Sequence, residues 1–210
     1  MVRPGLFFVF SGPSGSGKTS INNALLAKDQ QLCRSVSATT RAPRAGEVHK
    51  SSYYFFDKPD FIDAIDGGLF AEHAHVFDEY YGTLKAPLEQ LRCDGKDVLL
   101  ALDWQGASSI KKTYGEQSIL IYILPPNISD LKKRLYHRGE DRPEIIEKRL
   151  KCAYTEIQHC VHYDYVLVNN DLEKAIDQAW SIIQSERCRC KNQGDLKTLL
   201  RHFDQPVPLI

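Results

Sequence analysis

Gly12-Pro-Ser-Gly-Ser-Gly-Lys-Thr19 follows directly on the apolar run Leu6-Phe-Phe-Val-Phe10, and Ile21, Leu25 and Leu26 come after it on one helical face. The order is therefore buried strand, glycine-rich loop, helix. This is the pattern G-x-x-x-x-G-K-[ST] in the setting its physics requires. Glycines in such a loop let backbone N–H groups turn inward around phosphate oxygens, and the helix N-terminus adds partial positive charge at the same place. Lys18 is placed to reach the β- and γ-phosphates, and Thr19 to offer its hydroxyl to Mg²⁺. A loop of this kind identifies a nucleoside triphosphate site and leaves the reaction open.

Outward from the loop, strand and helix patterns alternate. Asp97-Val-Leu-Leu-Ala-Leu-Asp103, Ser118-Ile-Leu-Ile-Tyr-Ile-Leu124 and Tyr163-Asp-Tyr-Val-Leu-Val168 read as buried strands. Helical patterns run from Gln105 to Tyr114 and from Leu172 to Ile183. Such alternation predicts an α/β fold, a parallel sheet flanked by helices. Residues 1–34, 88–126 and 163–186 form this predicted core. Residues 35–87 interrupt it with an aromatic, His- and Arg-bearing segment, predicted to form a small mixed sheet around Tyr53-Tyr-Phe-Phe56 and a short helix after Pro59. Residues 127–162 are helical and basic, with Arg134, Arg138, Arg142 and Arg149 around His137-Arg-Gly-Glu-Asp141, the composition of a lid over anions. The tail, 187–210, has a helical pattern between Leu196 and Phe203 and no assigned role.

Bulk composition narrows the partners. The 210 residues carry 27 basic and 27 acidic side chains, so no overall field holds the chain on nucleic acid or an anionic membrane. No apolar run approaches the roughly 18 residues of a membrane span, and the N-terminal run is short for a secretory signal. Six scattered cysteines in a chain of this size suit a reducing compartment, with the cytoplasm as the expected location. Cys188-Arg-Cys190 lacks the companion ligands of a zinc site. Oligomeric state is not legible.

The acceptor must be read from the interrupting segment. Ser37-Ala-Thr-Thr-Arg-Ala-Pro-Arg-Ala-Gly-Glu47 sets Arg41 and Arg44 three residues apart, a planar clamp for a phosphate monoester. Tyr53, then Phe70-Ala-Glu-His73, then Glu79-Tyr-Tyr-Gly-Thr83 add phenols, a carboxylate at Glu72 and a small hydroxyl. That mixture suits a phosphorylated base.

With these residues assembled, "SVSATTRAPRAGE", "LFAEHAHVFDEYYGT", "LDWQGA" and "RPEIIEKRL" resemble, in order from about Leu6 to Ile183, the successive signatures of guanylate kinases. The resemblance implies a core, a GMP-binding domain (35–87) and a lid (127–162), with ATP as donor, GMP or dGMP as acceptor and Mg²⁺ as cofactor. It implies that Gly12, Pro13, Ser14, Gly15, Ser16, Gly17, Lys18 and Thr19 hold ATP, with Asn169 at the donor base. It places Glu72 on guanine N1–H and N2–H₂, Ser37 and Thr83 near O6, Asp103 as a second acceptor, and Arg41, Arg44, Tyr53 and Tyr81 on the GMP phosphate. Lys18, Arg41, Arg134, Arg138 and Arg149 would carry the transfer by neutralising charge, and no general base is demanded.

One position departs from the family pattern. Its two acids at the end of the 97–103 strand are reduced here to Asp103, with Ala101 in place of the first. This predicts altered Mg²⁺ handling rather than inactivity. Two rival readings have features this sequence contradicts. A phosphopeptide-binding module of the same fold typically loses the phosphate loop, which is intact here. A sugar-phosphate kinase needs no base-reading carboxylate, so Glu72, Ser37 and Thr83 argue against it.

Overall fold

The structure, a computed structural model, describes residues 3–76, 78–138, 143–194 and 196–201, with side chains described except at 138, 143, 144, 148, 197 and 199. Arg142 lies outside the described residues, as does the side chain of Arg138.

Five strands form one parallel sheet: β1 (Phe7–Ser11), β2 (Leu32–Arg34), β7 (Asp97–Ala101), β8 (Ser118–Leu124) and β9 (Tyr165–Val168), in the order β2-β7-β1-β8-β9. The run Phe7-Phe-Val-Phe10 is apolar at every position because β1 is central and covered on both faces. Strand parity divides it. Phe8 and Phe10 enter a core with Ile21, Leu25, Ile121 and Ile183, beneath α1 (Lys18–Lys28) and α7 (Leu172–Cys188). Phe7 and Val9 enter another with Leu88, Leu100, Ala107 and Ile110, beneath α3 (Lys85–Cys93) and α4 (Trp104–Tyr114). The sheet fixes the C-terminal ends of β1 and β7 side by side, with Phe10 in register with Ala101. Functional side chains gather there.

A separate four-stranded mixed sheet is built from β3 (Ala38–Thr39), β4 (Tyr54–Phe55), β5 (Phe70–Val76) and β6 (Glu79–Leu84), in the order β4-β3-β6-β5. With α2 (Lys58–Asp66) it closes an aromatic cluster in which Phe61 stacks on Phe70 at 4.3 Å and on Tyr80 at 5.5 Å. Helices α5 (Ile128–Arg138) and α6 (Pro143–Ile157) have a core of their own, Leu131, Leu135, Ile146, Leu150 and Ala153.

The expected strands and helices of the parallel sheet are present, with shifted ends. The strand from Asp97 stops at Ala101, and α7 continues past Ile183 to Cys188. Arg187 thereby reaches Asp97, a fully buried carboxylate that also receives Arg3 and the Leu6 N–H, and it pairs with Asp29 at 2.7 Å. This position, placed at the start of the unassigned tail, is thus anchored in the core. Two elements were not anticipated. In β2 only Leu32 is buried, and in α3 only Leu88, so neither carries a readable apolar period. The tail helix is α8 (Leu196–Arg201). No helix among the described residues is long and apolar enough to cross a membrane.

Candidate active site

The loop between β1 and α1 holds its shape through positive φ angles that only glycine tolerates well. At Gly17, φ is +107°, and a Cβ would stand 2.2 Å from the Asn169 carboxamide nitrogen. At Gly12, φ is +141°, and a Cβ would meet the Ile123 carbonyl at 2.2 Å. The loop is thus clamped against β8 and the residue after β9. Asn169, 3% exposed, donates from Nδ2 to the Ser16 carbonyl at 2.8 Å. Its own carbonyl accepts from Arg134 Nη2 at 2.8 Å. Arg149, from α6, donates to Ser14 Oγ at 3.0 Å. The two helices over the loop therefore each bring one guanidinium to its rim.

Lys18 folds back over the loop, its Nζ donating to the Gly12 and Pro13 carbonyls at 2.5 and 3.0 Å. Burial lowers its pKa to about 8, opposed by the carboxylate of Glu156. A cleft of about 750 Å³ opens beside it, lined by Gly12, Ser14, Gly15, Gly17, Lys18, Thr19, Ala101, Asp103, Arg134 and Glu156 among others. Glu156 was not anticipated. It stands seven residues after Arg149, two turns along the same face of α6, and burial raises its pKa while Lys18 opposes the rise. The i, i+7 spacing is legible in the sequence, but an acid in a helix of mixed charge reads as a surface charge.

Next to this cleft, the second sheet buries a carboxylate. Glu72 on β5 stands opposite Thr83 on β6, and Thr83 Oγ1 donates to Glu72 Oε1 at 2.6 Å. Glu72 is 8% exposed, and burial, with Asp103 nearby, raises its pKa against the effect of Thr83. Asp103 caps α4 by accepting from the Gly106 N–H at 2.8 Å. Gly106 keeps the two acids' approach clear, since a Cβ there would lie 3.2 Å from Glu72 Oε2. A smaller cavity of about 150 Å³, lined by Thr19, Asn22, Ser37, Thr83, Ala101 and Leu102 among others, shares three residues with the large cleft. The two spaces therefore adjoin.

Arg41 lies over the Tyr53 ring at 5.4 Å, and its guanidinium meets both oxygens of Glu47 at 2.8 and 3.0 Å. Glu47 also accepts from the Arg44 backbone N–H at 2.8 Å. This carboxylate sets the plane of the Arg41 fork and was not singled out beforehand. Tyr81, on β6, pairs with Thr39 and is close enough to Arg41 to help keep it charged. The Arg44 side chain is exposed and makes no hydrogen bond among the described residues. Trp104, directly after Asp103, stacks on His159 at 3.9 Å and joins the base of α4 to the turn after α6.

The sequence profile of the guanylate kinase family matches residues 6–186. The guanylate kinase of Cereibacter sphaeroides is 44% identical over 202 residues, 96% of this chain and 96% of that protein. That of Zymomonas mobilis is 43% identical over 206 residues, 98% of this chain and 95% of that protein. The crystal structure of guanylate kinase from Anaplasma phagocytophilum superposes with a TM-score of 0.76 at 35% identity, covering 98% of this chain and 99% of that one. A full-length match in sequence and in fold leaves one conclusion: this chain belongs to the guanylate kinase family, and it is an enzyme of that kind.

Proposed function

We propose that the protein transfers the γ-phosphoryl group of ATP to GMP, or dGMP, giving ADP and GDP. The observation that carries this reading is the adjacency of two spaces, a phosphate loop with Lys18 and a buried Glu72–Thr83 pair, joined through Thr19, Ala101 and Leu102.

Each residue has a chemical task. The loop from Gly12 to Thr19 would wrap the ATP phosphates with its N–H groups, and Lys18 would exchange its two carbonyl partners for phosphate oxygens. Asn169 keeps the loop in shape through Ser16, and its remaining Oδ1 would be the atom available to the donor base. On the acceptor side Glu72, as a carboxylate, would take N1–H and N2–H₂ of guanine. Adenine has an acceptor at N1 and leaves that carboxylate short of a donor. Ser37 would meet O6, as would Thr83 once its proton is released from Glu72, and Asp103 would be a second acceptor. Arg41, Arg44, Tyr53 and Tyr81 would hold the GMP phosphate, with Arg41 released from Glu47. Arg134, Arg138 and Arg149 would spread positive charge over the transferring group, which is the main catalytic demand of a loose transition state.

The oxygen groups in the lining of the cleft that suit Mg²⁺ are the exposed Thr19 hydroxyl, Asp103 and Glu156. When bound it would offset the negative charge of the phosphates. No three candidate ligands cluster among the described residues, so phosphates and water would complete its shell. A cytoplasmic role in purine nucleotide metabolism and GMP recycling belongs to the same proposal, supported by six free cysteines. Lys18→Ala tests the assignment: turnover should vanish while the melting temperature holds. Activity like that of the unaltered protein would refute it.

A further inference from the structure

Arg149 reaches the phosphate loop from α6, and the end of that helix is tied down elsewhere. Beyond Ile157 the chain runs on into a 3₁₀ turn, Gln158–His162, without a break, since Ile157 itself keeps helical φ and ψ of −59° and −33°. Arg149, Glu156 and His159 therefore move as one body. His159 lies flat on Trp104, with ring centroids 3.9 Å apart and planes 7° apart. Trp104 is the first residue of α4, next to the helix cap Asp103, and α4 is fixed to the parallel sheet through the buried Ala107 and Ile110. The stack thus joins α6 to a helix that does not move with it.

Trp104 remains 37% exposed, so the pair adds little to the core. Its value lies in geometry. α6 buries Ile146, Leu150 and Ala153 against α5, which holds the two helices to each other rather than to the sheet. Attraction between two flat rings falls steeply as they separate, so the stack keeps the end of α6 at a set distance from Asp103. Arg149 precedes His159 by ten residues, about 15 Å along the helix. At that lever arm a tilt of about 4° at the stack carries the guanidinium about 1 Å, a displacement large enough to matter for alignment in phosphoryl transfer.

We infer that Trp104 is a positioning residue for the transfer: by holding His159 it fixes the end of α6 and so sets Arg149 against the phosphate loop. The inference rests on the proposed kinase reading.

The test is a double-mutant cycle on kcat with saturating Mg-ATP and GMP, run well below the melting temperature of each variant. Trp104→Leu and His159→Leu should each lower kcat by about threefold to tenfold, the usual worth of an aromatic pair, and the double variant should lower it no further. Trp104→Phe and His159→Phe keep two stacked rings and should hold kcat within about twofold on the same scale. In an Arg149→Ala background, Trp104→Leu should have no further effect, because its route to the chemistry is already cut. An unchanged kcat in His159→Leu overturns the inference. So does a full additional loss from Trp104→Leu in the Arg149→Ala background. A lower melting temperature with kcat intact marks a merely structural stack and overturns it as well. Should Trp104→Leu not fold, His159→Leu alone and combined with Arg149→Ala decides. Failure of the unaltered protein to phosphorylate GMP would refute the kinase reading itself, whereas turnover untouched by either Leu variant would remove only the role of Trp104.

Discussion

Thr83 Oγ1 and Glu72 Oε1 lie 2.6 Å apart across the β5–β6 pairing, so the hydroxyl spends its only proton on the one buried acid of the second sheet. The other carboxylate oxygen lies toward Gly106, where no side chain intervenes. Burial raises the pKa of Glu72 above its ordinary 4.5, and Asp103 adds to the rise. The acid must be ionised to accept from guanine. KM for GMP should therefore climb as pH falls through that raised value, earlier than for an ordinary carboxylate. Glu72→Gln should lose the pH step and lower kcat/KM for GMP by about 100-fold or more, with KM for ATP little changed. Steady-state kinetics between pH 4.5 and 8 measure both, taking the ordinary Glu value as the lower bound.

Lys18 gives a second, opposite pH signature. Its pKa of about 8 in the free protein means that the neutral amine gains ground above that pH. Triphosphate oxygens favour the ammonium, so binding raises this pKa again. ATP binding should take up a fraction of a proton near pH 8.5 and almost none near pH 6.5, on either side of that pKa. Calorimetry in two buffers of different ionisation enthalpy reads the uptake directly.

Gly17→Ala should damage the loop from two directions. It places a Cβ at φ +107° and drives it against Asn169, whose carboxamide braces Ser16. A loss of about 2 kcal/mol or more in stability is expected, together with weakened ATP binding. Urea unfolding and nucleotide titration report the two effects.

Asp97 is a test of the core rather than of the chemistry. It is fully buried and receives Arg3, Arg187 and the Leu6 N–H. Asp97→Ala would leave Arg187 with only Asp29 and the Leu6 N–H with no acceptor. The expected cost is about 3–5 kcal/mol in urea unfolding, the range for breaking a buried ion pair from one side.

The parallel sheet was legible because β1 and β8 are apolar along most of their length and the loop marks where β1 ends. Elements with one buried residue each, β2 and α3, gave no such period, and their place is set by contacts with β7 and the core. Isolated motifs pointed to Lys18, Glu72 and the pair Arg41 and Arg44; the fold sets Arg41 over Tyr53 and against Glu47 and leaves the Arg44 side chain exposed. What remained hidden was reciprocal: Glu156 faces Lys18 only because α6 lies over the loop, and Glu47 sets Arg41 only through a turn.

The central claim is that one site joins a triphosphate donor to a guanine monophosphate acceptor. ADP release with Mg-ATP, measured in parallel with GMP, dGMP, AMP, UMP and ribose 5-phosphate, tests it most directly. The account predicts rapid release with GMP and dGMP and a kcat/KM lower by about 10⁴ with AMP, the discrimination of a site that leaves a buried acceptor unpaired. Equal turnover of AMP and GMP, or turnover of the sugar phosphate without GMP, would contradict it.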